Sequence, residues 1–202
     1  MSQQVVISLS REYGSGGQAI AHELSNRLNI PYYDKSILAR VAEEKGIDKN
    51  ELKQYEEKAA KPFFSKTVRG FNNSPQDAVA HMQFDLMRKM AKEGESFIIV
   101  GRCSEEVLKD VPGIKLITIF VTGDESAKVA RVMERNSLSF KEAQARVKKV
   151  TRERKEYHNR YCKGKWGDSR NYDILINSSR LDVDKTADVL ETYIKNRMDY
   201  NG

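Results

Sequence analysis

A strand-like apolar run, Val5-Val6-Ile7-Ser8-Leu9-Ser10, passes at Arg11 into Glu12-Tyr13-Gly14-Ser15-Gly16-Gly17-Gln18. Ile20, Leu24 and Leu28 then follow at once with helical spacing. Strand, glycine-rich turn and helix in that order constrain the fold more than anything else in the chain. Glycines let successive backbone N–H groups converge on one point, and the helix start adds a partial positive charge there. The combination makes a cradle for an anion. The plainer reading is a tight strand-to-helix turn with no ligand.

Four further segments read as strands: 31–33, 97–101, 115–121 and 172–177. Between them lie helical patterns. One carries Ile37, Leu38 and Val41, with Asp34 able to cap it and Gly46 to end it. Residues 48–60 are charged and helical in pattern, and 61–75, with Pro62, Pro75, Gly70 and an Asn pair, read as a loop. Ser74-Pro75 is a cap followed by a first helical position, opening a helix to about residue 92. Residues 124–135 form another. Ser139-Phe140-Lys141-Glu142 has capping-box spacing and opens a long basic helix to about residue 163. The last helix spans about 183–198. Strands that alternate with helices, and that are apolar on both faces, imply a parallel sheet covered on both sides.

In such a sheet ligands bind beyond the carboxyl ends of the strands. Three polar clusters fall there: the loop from Arg11 to Gln18, then Asp34-Lys35-Ser36, then Gly101-Arg102-Cys103. Asp34 also reads as an ordinary helix cap. An arginine directly after a buried strand can grip a phosphate with two parallel hydrogen bonds, or pair with a neighbouring carboxylate. On the basic helix Lys148, Arg152, Lys155 and Asn159 fall near one face, with Arg160 towards its edge. That face is either solvated or a lid whose cations close over a polyphosphate.

The formal charge of +6 favours an anionic partner. Glu142, Glu153 and Glu156 interrupt the basic segment, and its aromatics are not regularly interleaved, which argues against nucleic acid. Cys103 and Cys162 are too few and too far apart in sequence to suggest a disulfide framework or a metal site. No run is long enough to cross a membrane, and Met1-Ser2-Gln3-Gln4 leads directly into a strand without a signal-peptide pattern, so the expected location is cytoplasmic.

Ser10-Arg11-Glu12-Tyr13-Gly14-Ser15-Gly16-Gly17, Tyr33-Asp34-Lys35, Gly101-Arg102-Cys103 and Asp173-Ile174-Leu175-Ile176-Asn177 together resemble the cytidylate kinase-like family, relatives of the nucleoside monophosphate kinases. The resemblance covers nearly the whole chain. It implies a three-layer α/β/α P-loop kinase-like fold over residues 1–202, with a five-stranded parallel sheet. It also implies a helical acceptor-side insert at about 34–93 and a basic helical lid at about 136–170. The implied reaction is phosphoryl transfer from ATP to CMP or a similar acceptor, with Mg2+. Small nucleotides would be the partners, without nucleic acid or membrane.

By the same resemblance, Gly14, Ser15, Gly16, Gly17 and Gln18 would hold the donor, and Asp34, Lys35 and Arg102 the acceptor. Arg152, Lys155 and Arg160 would be the lid cations. One departure is chemical. Gly17 stands where the family's phosphate-binding lysine would be, Ala19 where its threonine would be, and Val100 where an acidic residue would be. Arg11 is the expected substitute cation, with Lys35 second. Magnesium would be held mainly by phosphates and water, with Ser10 or Ser15 nearby, and no side chain is assigned to it as a metal ligand. A nucleotide-binding sensor with little catalysis is the alternative reading.

Overall fold

The computed structural model describes residues 4–48, 50, 67–68, 71–72 and 74–200. Five strands form one parallel sheet: β1 (Val5–Arg11), β2 (Tyr32–Tyr33), β5 (Phe97–Val100), β6 (Lys115–Thr122) and β7 (Ile174–Asn177). Their order is β2-β5-β1-β6-β7, and Ile7 pairs with Ile98 on one side and Ile117 on the other. The chain moves outward from β1 to β2, then crosses back over β1 to lay down β6. The loop after β1 therefore leaves the sheet where the winding reverses, the place at which such sheets open a crevice.

Two-residue alternation sorts the apolar side chains onto two faces. Val5, Ile7, Leu9, Ile98, Val100, Ile117, Ile119 and Val121 pack with α1 (Gly17–Leu28) and α7 (Val183–Asp199). On the other face Val6, Phe97 and Ile99 pack with α2 (Ile37–Lys45), α3 (Pro75–Lys92) and the short α4 (Ser104–Leu108). Fully burying one Leu or Ile contributes about 1.5–3 kcal/mol, so Leu9, Ile20 and Leu24 alone fasten α1 to the sheet. A third cluster, Val129, Val132, Ala143 and Val147, joins α5 (Glu125–Asn136) to α6 (Phe140–Tyr161), with Tyr13 packed against it.

Two of the expected caps are present. Ser74 accepts from the Asp77 N–H with Pro75 at the first helical position. Ser139 and Glu142 make the reciprocal pair at the start of α6. Asp34 does not cap α2; Ser36 occupies the cap position, and Asp34 instead accepts the Ser36 N–H at 3.2 Å. Within the expected loop at 61–75, residues 67–68 and 71–72 pair as two short antiparallel strands, β3 and β4. Most of the expected helix at 48–60 lies outside the described residues. The five-residue α4 is too short to show a period. The last sheet strand starts two residues late because Asp168 caps a 3-10 turn over Ser169–Asn171. Among the described residues no helix is long and apolar enough to cross a membrane.

Candidate functional site

Beyond the carboxyl end of β1 lies a cleft of about 850 Å³. Arg11, Gly14, Gly16, Gly17 and Gln18 form its floor, Asp34 and Lys35 one wall, and Arg131, Arg135, Arg146 and Arg154 the opposite one. The glycines are there for stereochemical reasons. Gly14 has φ +84, and a Cβ on it would lie 2.8 Å from the Lys128 carbonyl oxygen. Gly17 is excluded from carrying a side chain by its neighbour: a Cβ there would lie 2.7 Å from Arg11 Cβ and 3.1 Å from Arg11 Cγ. Arg11 therefore occupies the space beside the position of the family lysine.

The loop is held in shape by its surroundings. Glu12 accepts from Thr122 Oγ1 at 2.8 Å and from Lys128 Nζ at 2.6 Å, while its own N–H donates to the Val121 carbonyl. Ser178 Oγ donates to the Ser15 carbonyl and Arg131 to the Gly14 carbonyl. Ser15 is fully buried, and its Oγ donates to the Glu12 carbonyl at 2.9 Å. Its side chain thus shapes the turn and does not line the cleft. At the helix start Gln18 Nε2 donates to Asp34 Oδ2 at 2.6 Å, linking two of the three expected clusters.

Helix α6 lies across this loop. The Tyr13 N–H donates to Thr151 Oγ1 at 3.3 Å, and Arg154 donates to the Arg11 carbonyl at 3.4 Å. The Tyr13 ring has Arg135 at 5.0 Å and Arg154 at 5.4 Å from its centroid, both cation–π contacts. The cleft-facing stripe of α6 is Arg146, Val150 and Arg154. Arg152 and Lys155 are on the far side, where Arg152 is 71% exposed with Glu156 at 3.7 Å. The reason is helical phase: the buried stripe runs Ala143, Val147, Tyr157, and Arg152 falls about half a turn from it.

Arg160 is also away from the cleft. Its guanidinium makes two bonds to Asp77, at 3.0 and 2.8 Å, and Asp77 further accepts from Tyr161 and Ser74. Burial disfavours the Asp77 carboxylate, but Arg160, Tyr161 and Ser74 outweigh it and hold its pKa below the ordinary value. Burial, then Asp77, pushes the Tyr161 phenol up. This knot ties the end of α6 to the start of α3.

Arg102 is 3% exposed. It sits in a run of left-handed residues, Gly101 (φ 79), Arg102 (φ 62) and Cys103 (φ 56). Two non-glycine residues in that region store strain. Arg102 lines a water-sized hollow with Ser10, Arg11, Arg154, Tyr157 and His158. The third cluster thus shares Arg11 and Arg154 with the main cleft. Below it, Ser8, Ser104, Glu105 and His158 form a buried polar layer in which His158 Nε2 meets Glu105 Oε1 at 2.6 Å.

Of the residues expected at a site, Arg11, Gly14, Gly16, Gly17, Gln18, Asp34 and Lys35 line the cleft, and Tyr13, Arg131, Arg135, Arg146 and Arg154, none of them singled out from the sequence, line it too. The spacing of Ala143, Val147, Val150 and Tyr157 phases α6 and carries the signal for the last two.

The family model for the cytidylate kinase-like family matches residues 6–180. A cytidylate kinase of Methanopyrus kandleri is 28% identical over 201 residues, covering 96% of this chain and 94% of that protein. A cytidylate kinase of Sulfurisphaera tokodaii is 24% identical, covering 94% and 95%. Among solved structures, an uncharacterized protein from Eubacterium ventriosum is 39% identical with a TM-score of 0.74, covering 95% of this chain and 99% of that one. A shikimate kinase from Bacteroides thetaiotaomicron shares the fold at 13% identity, with a TM-score of 0.56 and coverage of 95% and 98%.

Proposed function

The chain belongs to the cytidylate kinase-like family, and on that premise we propose that it moves the γ-phosphoryl group of ATP onto a nucleoside monophosphate, with CMP the favoured acceptor. The observation that carries this reading is the single cleft in which the glycine loop, Arg11 and the arginines of α5 and α6 converge. Phosphoryl transfer needs little covalent chemistry from a protein; it needs positioning and neutralised charge.

An oxygen of the acceptor phosphate attacks the γ-phosphorus in line, and the bond to the β,γ-bridging oxygen breaks, releasing ADP. In this reading Gly14, Gly16, Gly17 and Gln18 offer main-chain N–H groups to the donor phosphates. Arg11 supplies the charge that a lysine at position 17 would bring, and the close approach of its Cβ to Gly17 supports that substitution. Arg131, Arg135, Arg146 and Arg154 face the transferred group. Arg102 holds the acceptor phosphate from below, with Asp34 and Lys35 on the acceptor wall. Arg152, Lys155 and Arg160, facing elsewhere, are given no catalytic part.

Magnesium would neutralise and orient the β- and γ-phosphate oxygens. The cleft-lining carboxylates Glu12, Glu23 and Asp34 are bonded to Lys128, Arg27 and Gln18 respectively. This donor set suits an ion held by phosphate oxygens and water rather than by a protein cage.

One observation favours a second reading, nucleotide binding with little turnover: Gly17 brings no cation of its own. A coupled assay with ATP, Mg2+ and a panel of nucleoside monophosphates separates the two. The kinase reading expects nucleoside diphosphate product, fastest with CMP. Thermal stabilisation by ATP without product supports the sensor and overturns the kinase.

A further inference from the structure

Cys162, distant in sequence from α4, packs against the apolar cluster on the side of the sheet opposite α1. Glu105, His158 and Cys162 each present a donor atom, and the three atoms lie within 4.8 Å of one another. Two elements supply all three groups. Glu105 lies in the first turn of α4, three residues after Arg102, and His158 and Cys162 close α6 one helical turn apart. We propose that these three side chains form a binding site for a zinc-class divalent cation, with a water molecule completing the tetrahedron.

The chemistry fits that class. A sulfur, an imidazole and a carboxylate are a borderline-soft donor set, which selects zinc over magnesium. Their outer partners are in place. Ser8 donates to Glu105 Oε2 at 3.2 Å, leaving Oε1 towards the cluster, and Asn159 Oδ1 lies 3.3 Å from His158 Nδ1. The site is largely enclosed: His158 and Glu105 are buried and Cys162 is half-buried. Without metal, the proton between His158 and Glu105 holds them at 2.6 Å. Burial opposes the imidazolium, but Cys162 and Glu105 outweigh it and raise its pKa to about 10.

On binding, the protons on His158 Nε2 and the Cys162 thiol pass to solvent, and three bonds from protein atoms to the ion replace them. The Glu105–His158 contact opens to about 3.3 Å, the edge of a tetrahedron with bonds of roughly 2.0–2.1 Å. One thiolate, one carboxylate and a dication sum to zero net charge. The ion would brace the strained Gly101–Cys103 turn against the end of α6. This site lies outside the nucleotide cleft and stands whether or not the kinase reading does.

The test uses the full chain, stripped with a chelator, kept reduced and free of nucleotide, and titrated with Co2+ and then Zn2+. The expected result is one equivalent of Co2+ with a near-ultraviolet thiolate charge-transfer band, which one equivalent of Zn2+ abolishes. Cys162→Ser is expected to lose the band and to weaken Zn2+ binding at least 100-fold. Arg152→Ala, remote from the cluster, should change neither. A wild-type spectrum without the charge-transfer band overturns the proposal, whatever the variants do. So does Co2+ binding that Cys162→Ser leaves unchanged.

Discussion

Replacing Gly17 with alanine tests how the loop has been rebuilt around Arg11. The new Cβ would sit 2.7 Å from Arg11 Cβ, 3.1 Å from Arg11 Cγ and 3.4 Å from Leu9 Cδ2. The nearest of these is one bond from the backbone of β1, which is paired to Val121 of β6, so it cannot swing aside. Such overpacking costs about 1–3 kcal/mol. For a chain of this length each kcal/mol lowers Tm by about 2–4 °C. The decisive comparison is a double-mutant cycle with Arg11→Gly, which removes both Arg11 atoms in the clash. The cost of Gly17→Ala should then shrink, giving a coupling of at least about 1 kcal/mol, well above the usual error for independent sites. Thermal and urea unfolding of the four proteins measure it. A cost that is the same with Arg11 present or absent would refute the packing argument. Gly17→Lys in the native background should likewise lower stability instead of restoring a conventional loop.

Further expectations concern α6 and its anchor. Arg146→Ala and Arg154→Ala should each lower kcat/KM by about 10²-fold or more, the scale of one lost electrostatic donor, while Arg152→Ala stays within threefold. Steady-state kinetics on the three variants check the phase of the helix. Asp77→Ala should destabilise the fold by about 1–3 kcal/mol, because it removes the buried acceptor shared by Ser74, Tyr161 and Arg160. Asp77 has a depressed pKa in the folded state, so its contribution is present above the ordinary carboxylate range and fades as pH falls through the lower folded value. Stability against pH measured below about pH 4 should accordingly fall more steeply in the wild type than in Asp77→Asn.

Much of this molecule is legible in its sequence because its signals are local. The glycine turn after β1, Ser74-Pro75, and the Ser139–Glu142 box each fix a boundary within four residues, and the structure has all three. The parallel sheet follows from strands apolar on both faces. What escaped depends on contacts distant in the chain. Arg160 reads as a lid cation until Asp77, 83 residues away, is seen to hold it. Tyr13 reads as an ordinary loop residue until α5 and α6 bring arginines to its ring. Glu105 and the His158–Cys162 pair look unrelated until the end of α6 meets the start of α4. The apolar stripe Ala143, Val147 and Tyr157 fixes the phase of α6 and puts Arg152 on the solvated face.

The most direct test of the account is Arg11→Ala, assayed with ATP, Mg2+ and CMP, because Arg11 is taken to carry the charge that the loop lacks at Gly17. ATP affinity should weaken, and kcat/KM should fall by about 10²–10³-fold, equivalent to roughly 3–4 kcal/mol. The folded baseline should stay intact, since alanine keeps the Cβ beside Gly17. ATP affinity and turnover both equal to those of the wild type would contradict the claim that an arginine from the end of β1 grips the donor phosphates.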